Sequence, residues 1–166
     1  MKSVTVVKFG GTSLASADQI KKAADIVRAD PNRRFVVASA PGKRTSDDIK
    51  VTDLLYRCYE QAAEGADFAD TLERIKARFA DIIRELGVTF DLDSEIETLR
   101  AHLNTAPDRD YMASRGEHLN ARIIAAYLGF PFVEPAEAIF FTDAGVLDED
   151  RTLRSMRARL DGLDNA

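Results

Sequence analysis

Cysteine is nearly missing from this 166-residue chain. Cys58 stands alone, which rules out an internal disulfide and fits a reducing, cytoplasmic compartment. Two histidines and no cysteine cluster leave no ligand set for a structural zinc site, and the sequence suggests no other metal site of its own. There is no basic excess. The net charge of −5 argues against nucleic acid as a partner. No apolar run is long enough to span a bilayer, and the N-terminus lacks the basic, apolar and small-residue zones of a signal peptide. Internal repeats and low-complexity segments are also missing. Two common phosphate-binding signatures do not occur: Gly, four residues, Gly-Lys-Ser/Thr, and the three-glycine dinucleotide fingerprint.

What is present is an ordinary globular composition, 45% hydrophobic and 31% charged, enough for one domain or part of one. The organising stretch is Val4-Thr5-Val6-Val7-Lys8-Phe9-Gly10-Gly11-Thr12-Ser13. Its β-branched run predicts a strand buried on both faces. Lys8 stands at the strand's carboxyl end, followed by two glycines, two hydroxyl residues and a helical pattern. Strand, glycine turn and helix start can hold an anion. Bare backbone N–H groups approach it, and the helix N-terminus adds about half a positive charge. A plain tight turn would also use two glycines. The lysine before them and the Thr-Ser after them favour a phosphate cradle built from Lys8, Gly10, Gly11 and Ser13.

Farther along, Ser16 caps a helix reaching about Ala29, with Ile20, Ala23, Ala24 and Val27 on its apolar face. Asp30-Pro31-Asn32 stops it. Phe35-Val36-Val37-Ala38 predicts a second strand and completes a βαβ unit. The loop from Ser39 to Arg44 then faces the same side as Lys8, because ligands gather beyond the carboxyl ends of strands. Residues 44–50 are polar and are expected to be mobile. Thr52 and Asp53 open a helix with Leu54, Leu55 and Cys58 on one face. Two amphipathic helices follow, about Phe68–Leu86 and Leu92–Leu103. They form a helical flank at about 67–105 whose outer charge reads as solvated surface. A helix over Asp108–Leu128 contains Gly116, and glycine inside a helix costs about 1 kcal/mol relative to alanine. Either a ligand or a closely packed neighbour would account for it. Phe132-Val133 reads as a short strand, and Thr152–Leu160 as a last helix.

Lys-Phe-Gly-Gly-Thr-Ser near the N-terminus resembles the aspartate kinases of the amino-acid kinase family. Other members of that family tend to carry Lys-x-Gly-Gly-Ser or Lys-x-Gly-Ser-Ser, so Thr12 favours the aspartate branch. The resemblance implies a three-layer αβα fold with a mainly parallel sheet. It covers the N-terminal, amino-acid-binding part of the catalytic domain over residues 1–166, while the family's nucleotide lobe and regulatory modules have no counterpart. It implies ATP and L-aspartate as partners, Mg²⁺ held with the nucleotide, and 4-phospho-L-aspartate as product, on the route to lysine, threonine and methionine. Thr52 and Ser39 match the family's substrate-contacting positions. Glu117 matches the glutamate that pairs with the substrate's α-amino group, while neighbouring Arg115 has no assigned role. An aspartate side chain, pKa about 3.9, is already ionised at neutral pH. Catalysis is then positioning plus charge neutralisation, with Lys8 as the central cation. A chain holding only this part is expected to be inactive alone and to expose a sheet edge through which copies could associate. Two alternatives stand beside it: a kinase acting on glutamate or acetylglutamate, and an interaction module without catalysis.

Overall fold

The computed structural model describes residues 4–166; Met1 to Ser3 lie outside the described residues. β1 (Thr5–Phe9) and β2 (Arg33–Ala38) pair in parallel, with Lys8 opposite Val37 and Phe9 opposite Ala38. Between them runs α1 (Ala17–Arg28). The Ser16 hydroxyl accepts from the Gln19 N–H at 3.4 Å and starts the helix, and Ile20, Ala23, Ala24 and Val27 are its buried stripe. The Asn32 N–H donates to the Asp30 carboxylate at 2.9 Å, forming the turn into β2.

Four helices build the core: α2 (Val51–Ala63), α3 (Ala69–Leu86), α4 (Leu92–Thr105) and α5 (Arg109–Leu128). Their apolar stripes meet each other and α1 in one cluster that includes Ile20, Leu55, Leu72, Phe79, Met112 and Ile123. The flanking helices α3 and α4 therefore share a core with the helices around the sheet. Helix ends follow their local chemistry. Asp91 and Asp108 cap α4 and α5, and Gly87 and Gly129 end α3 and α5 at φ of 68° and 74°. Cys58 is fully buried, and desolvation pushes its thiol pKa up to about 12, so it packs as a small apolar residue. A last helix, α6 (Glu149–Leu160), starts at the Asp148 cap.

Two expectations are corrected. β1 is not buried on both faces: Val6 is 62% exposed, and in β2 Val37 is 49% exposed. A continuous apolar run signals burial only when neighbouring strands and a covering layer are present, and the sheet of the described residues has two strands. Phe132-Val133 forms no strand. Pro131 and Pro135 flank it, and it is held to α5 by side chains instead: His118 Nε2 bonds the Glu134 carboxylate at 2.8 Å, and the Phe132 ring meets His118 edge-on. The segment 44–50 is tied to the core through Asp48, whose carboxylate bonds the buried Arg78 of α3.

The edge of β2 away from β1 is met by the end of the chain. The Ala166 N–H donates to the Arg34 carbonyl at 2.9 Å, and its carbonyl accepts from the Val36 N–H at 2.8 Å. Between this edge and α5 lies an apolar cavity of about 720 Å³, lined by Val37, Ile124, Phe132, Ile139, Met156 and Leu160 among others.

Candidate functional site

Beyond the carboxyl end of β1 the backbone makes a single 3-10 turn, Gly11–Leu14, in which the Ser13 N–H donates to the Gly10 carbonyl at 3.0 Å. Beyond β2 runs the loop from Ser39 to Lys50. The two meet at glycines. The Gly42 N–H donates to the Gly11 carbonyl at 2.9 Å. A Cβ on Gly42 would lie 2.6 Å from the Gly11 carbonyl carbon, and one on Gly11 would lie 2.9 Å from the Ala40 oxygen. These glycines are required by backbone-to-backbone approach. Gly10 differs: a Cβ there would meet nothing within 4 Å, and its φ of −78° suits any residue.

The Ser39–Gly42 strip is gripped from every side. From α5, the Asn120 amide donates to the Ser39 carbonyl at 2.7 Å. Gly116 lets Ala40 come so close that a Cβ would sit 2.9 Å from the alanine methyl and 3.2 Å from Leu55 Cδ1. Packing against Ala40 and Leu55 thus accounts for the helical glycine. From α2, the Val51 N–H donates to the Pro41 carbonyl at 3.4 Å. From α3 comes Arg78, 5% exposed, whose Nη2 donates to the carbonyls of Ala15 and Gly42, both at 2.7 Å. Its Nη1 bonds the Asp48 carboxylate, which also accepts from the Arg44 side chain at 2.9 Å.

The Arg44 hydrogen bonds, against the opposing effect of burial and with help from Arg78, hold the Asp48 carboxyl well below its ordinary value near 3.8. A depressed folded-state pKa stabilises the fold above the unfolded value, and that stabilisation is lost as pH falls toward the folded value. Thermal unfolding of the unsubstituted chain and of Asp48→Asn should therefore differ by a constant amount above about pH 5, and the two should converge progressively below about pH 4.

The gripped strip forms one wall of a cavity of about 310 Å³, lined by Gly11, Thr12, Ser39, Ala40, Pro41, Gly42, Lys43, Lys50, Thr52 and Glu117. Four residues singled out from the sequence, Gly11, Ser39, Thr52 and Glu117, come together here from four different segments. Lys8, Gly10 and Ser13 are exposed and line neither this cavity nor the apolar one. Val37, opposite Lys8 in the sheet, does line the apolar cavity, and Glu117 borders both. Glu117 is half-buried and has no ion-pair partner among the described residues. Lys43 and Lys50 are the residues sequence reasoning missed. Together with Glu117 they give the cavity charge of both signs, which suits a small zwitterion carrying extra negative charge. Among the described residues no three His, Cys, Asp or Glu side chains are grouped to hold a metal ion.

Residues 3–160 match the model of the amino acid kinase family. The chain is 41% identical over 150 residues to aspartokinase 3 of Bacillus subtilis (strain 168), a match covering 85% of this chain and 32% of that protein. The crystal structure of Clostridium acetobutylicum aspartate kinase superposes with a TM-score of 0.95 at 38% identity, over 99% of this chain and 38% of that one. E. coli aspartokinase III, crystallised with aspartate and ADP, shares the fold at a TM-score of 0.74 and 23% identity, covering 96% of this chain and 38% of that one. The chain thus spans about a third of the length of these relatives.

Proposed function

The chain belongs to the amino acid kinase family, and from that premise we propose that it is the amino-acid-binding part of a catalytic domain that phosphorylates the side-chain carboxylate of L-aspartate. ATP is the donor, and the products are 4-phospho-L-aspartate and ADP. The observation that carries this reading is the convergence of Gly11, Ser39, Thr52 and Glu117 on one cavity with cations at its rim. In it, Glu117 pairs with the substrate ammonium, and Thr52 and Ser39 hydrogen-bond the substrate. Lys43 and Lys50 offset its carboxylate charge. The reacting carboxylate is already an anion and needs no base, so the obstacle is its repulsion from the γ-phosphate. Lys8, the Gly10 and Gly11 amides and the Ser13 hydroxyl reduce that repulsion at the end of β1. Open space at Gly10 supports this role, since neither its φ nor any protein neighbour requires a glycine there.

On this reading the nucleotide lobe lies in the two thirds of the relatives that the chain does not span, and the chain alone turns over little or no ATP. The same reading carries Mg²⁺ with the nucleotide, a cytoplasmic setting, and a place in lysine, threonine and methionine synthesis. Exposed Val6 and Val37 and the apolar cavity beside β2 mark the face that self-association would cover.

The test mixes the chain with the remaining part of the catalytic domain of the Clostridium acetobutylicum relative. It measures ADP release and the acyl phosphate trapped by hydroxylamine. ADP release that needs both parts and L-aspartate supports the reading. No restoration, together with no aspartate binding by the chain, counts against it. Tighter binding of glutamate or acetylglutamate than of aspartate in competition would move the substrate to the alternative.

A further inference from the structure

We propose that Arg78 is a positioning residue for the polar cavity, setting from helix α3 the distance between the glycine turn after β1 and the loop after β2. The proposal rests on reading that cavity as an amino-acid site. Arg78 lies 63 residues from Ala15, 36 from Gly42 and 30 from Asp48, and one guanidinium joins all three. Ala15 closes the glycine turn, and Gly42 forms cavity wall. Both carbonyls accept from the same nitrogen, Nη2, at the same 2.7 Å, so neither segment can shift without breaking a charge-assisted bond. The second nitrogen of the fork takes Asp48, which Arg44 also holds, and so fixes the stretch that carries Lys43 and Lys50.

The third donor shows what this arrangement costs. Arg78 Nε is buried and has no acceptor among the described residues. A side chain placed only to stabilise the core would do better as an apolar residue of similar volume, because burying a guanidinium is expensive unless all its donors are paired. What this arginine provides that an apolar residue cannot is a planar fork gripping two loops at once. Lysine would keep the charge but is a compact point donor on a flexible stem, and it cannot reproduce that geometry.

The experiment compares the unsubstituted chain, Arg78→Lys and Asp48→Asn at a temperature where circular dichroism shows all three folded. Amide hydrogen exchange is read residue by residue, and L-aspartate affinity is read by titration. In Arg78→Lys, exchange should quicken at 12–16 and 42–49 and stay unchanged through α4, and aspartate should bind about tenfold more weakly. Asp48→Asn should quicken exchange at 43–49 alone and weaken binding less, because both carbonyl bonds survive. The proposal is overturned if Arg78→Lys leaves both loops as protected as before. It is also overturned if exchange quickens evenly across the core, or if lost affinity returns when the fold is stabilised with an osmolyte. Should the unsubstituted chain fail to bind aspartate, the functional reading fails, and the exchange pattern still decides for or against Arg78.

Discussion

Gly42→Ala is expected to destabilise the chain by about 3 kcal/mol or more and to abolish ligand binding in the polar cavity. The added methyl would lie 2.6 Å from the Gly11 carbonyl carbon, 2.7 Å from its oxygen and 2.8 Å from the Thr12 nitrogen. All three are backbone atoms, so no side-chain rotation relieves the clash. Separating the two strands of backbone breaks the Gly42 N–H bond to Gly11 and pulls the Gly42 carbonyl off Arg78. Overpacking and lost buried hydrogen bonds therefore act together. Gly10→Ala is the control: its methyl meets nothing within 4 Å, and stability should stay within about 0.5 kcal/mol of the unsubstituted chain. Denaturant midpoints at constant m-value measure both. Equal destabilisation by the two substitutions would contradict the packing assigned to Gly42.

Glu117→Gln should behave in the opposite way, with little effect on folding and a large one on binding. Its carboxylate has no ion-pair partner among the described residues, so removing the charge strands no protein group. A charge-assisted bond to a ligand ammonium is worth about 1.5–3 kcal/mol, so L-aspartate affinity should fall by about ten- to a hundredfold. The unfolding midpoint should scarcely move. A Glu117→Gln chain that binds aspartate unchanged would remove the residue from the site.

These two residues also mark what local pattern can and cannot convey. Helix positions followed from apolar spacing and, for α1, from the Ser16 cap, all decided within a few residues. Arg78 belongs to a helix whose outer charge reads as solvated surface, yet it stands three residues after Ile75 and four before Ile82, on the buried stripe of α3. Its place in the helical period was the available signal, and the bias that charge belongs outside hid it. Asn120 was similarly placed, four residues after buried Gly116 and ahead of Ile123 and Ile124, and its bond to Ser39 spans 81 residues. For Lys43 the sequence placed only its loop on the ligand side of the sheet, and for Lys50 it offered nothing, because only the folded loop brings the two lysines beside Thr52 and Glu117. The strands show the reverse error: their apolar runs were read as burial, but burial depends on neighbours that the two-stranded sheet does not have.

The central claim is that one polar pocket, walled by the Ser39–Gly42 strip and closed by α5, receives an acidic amino acid. Nitrogen-15 spectra of the intact chain during an L-aspartate titration test it most directly. The account predicts saturable shifts gathered at Gly11, Ser39, Thr52 and Glu117, weaker in Arg78→Lys and nearly gone in Glu117→Gln. Shifts gathered instead around Ile124, Phe132 and Met156 in the apolar cavity, or no saturable shifts at all, would contradict it.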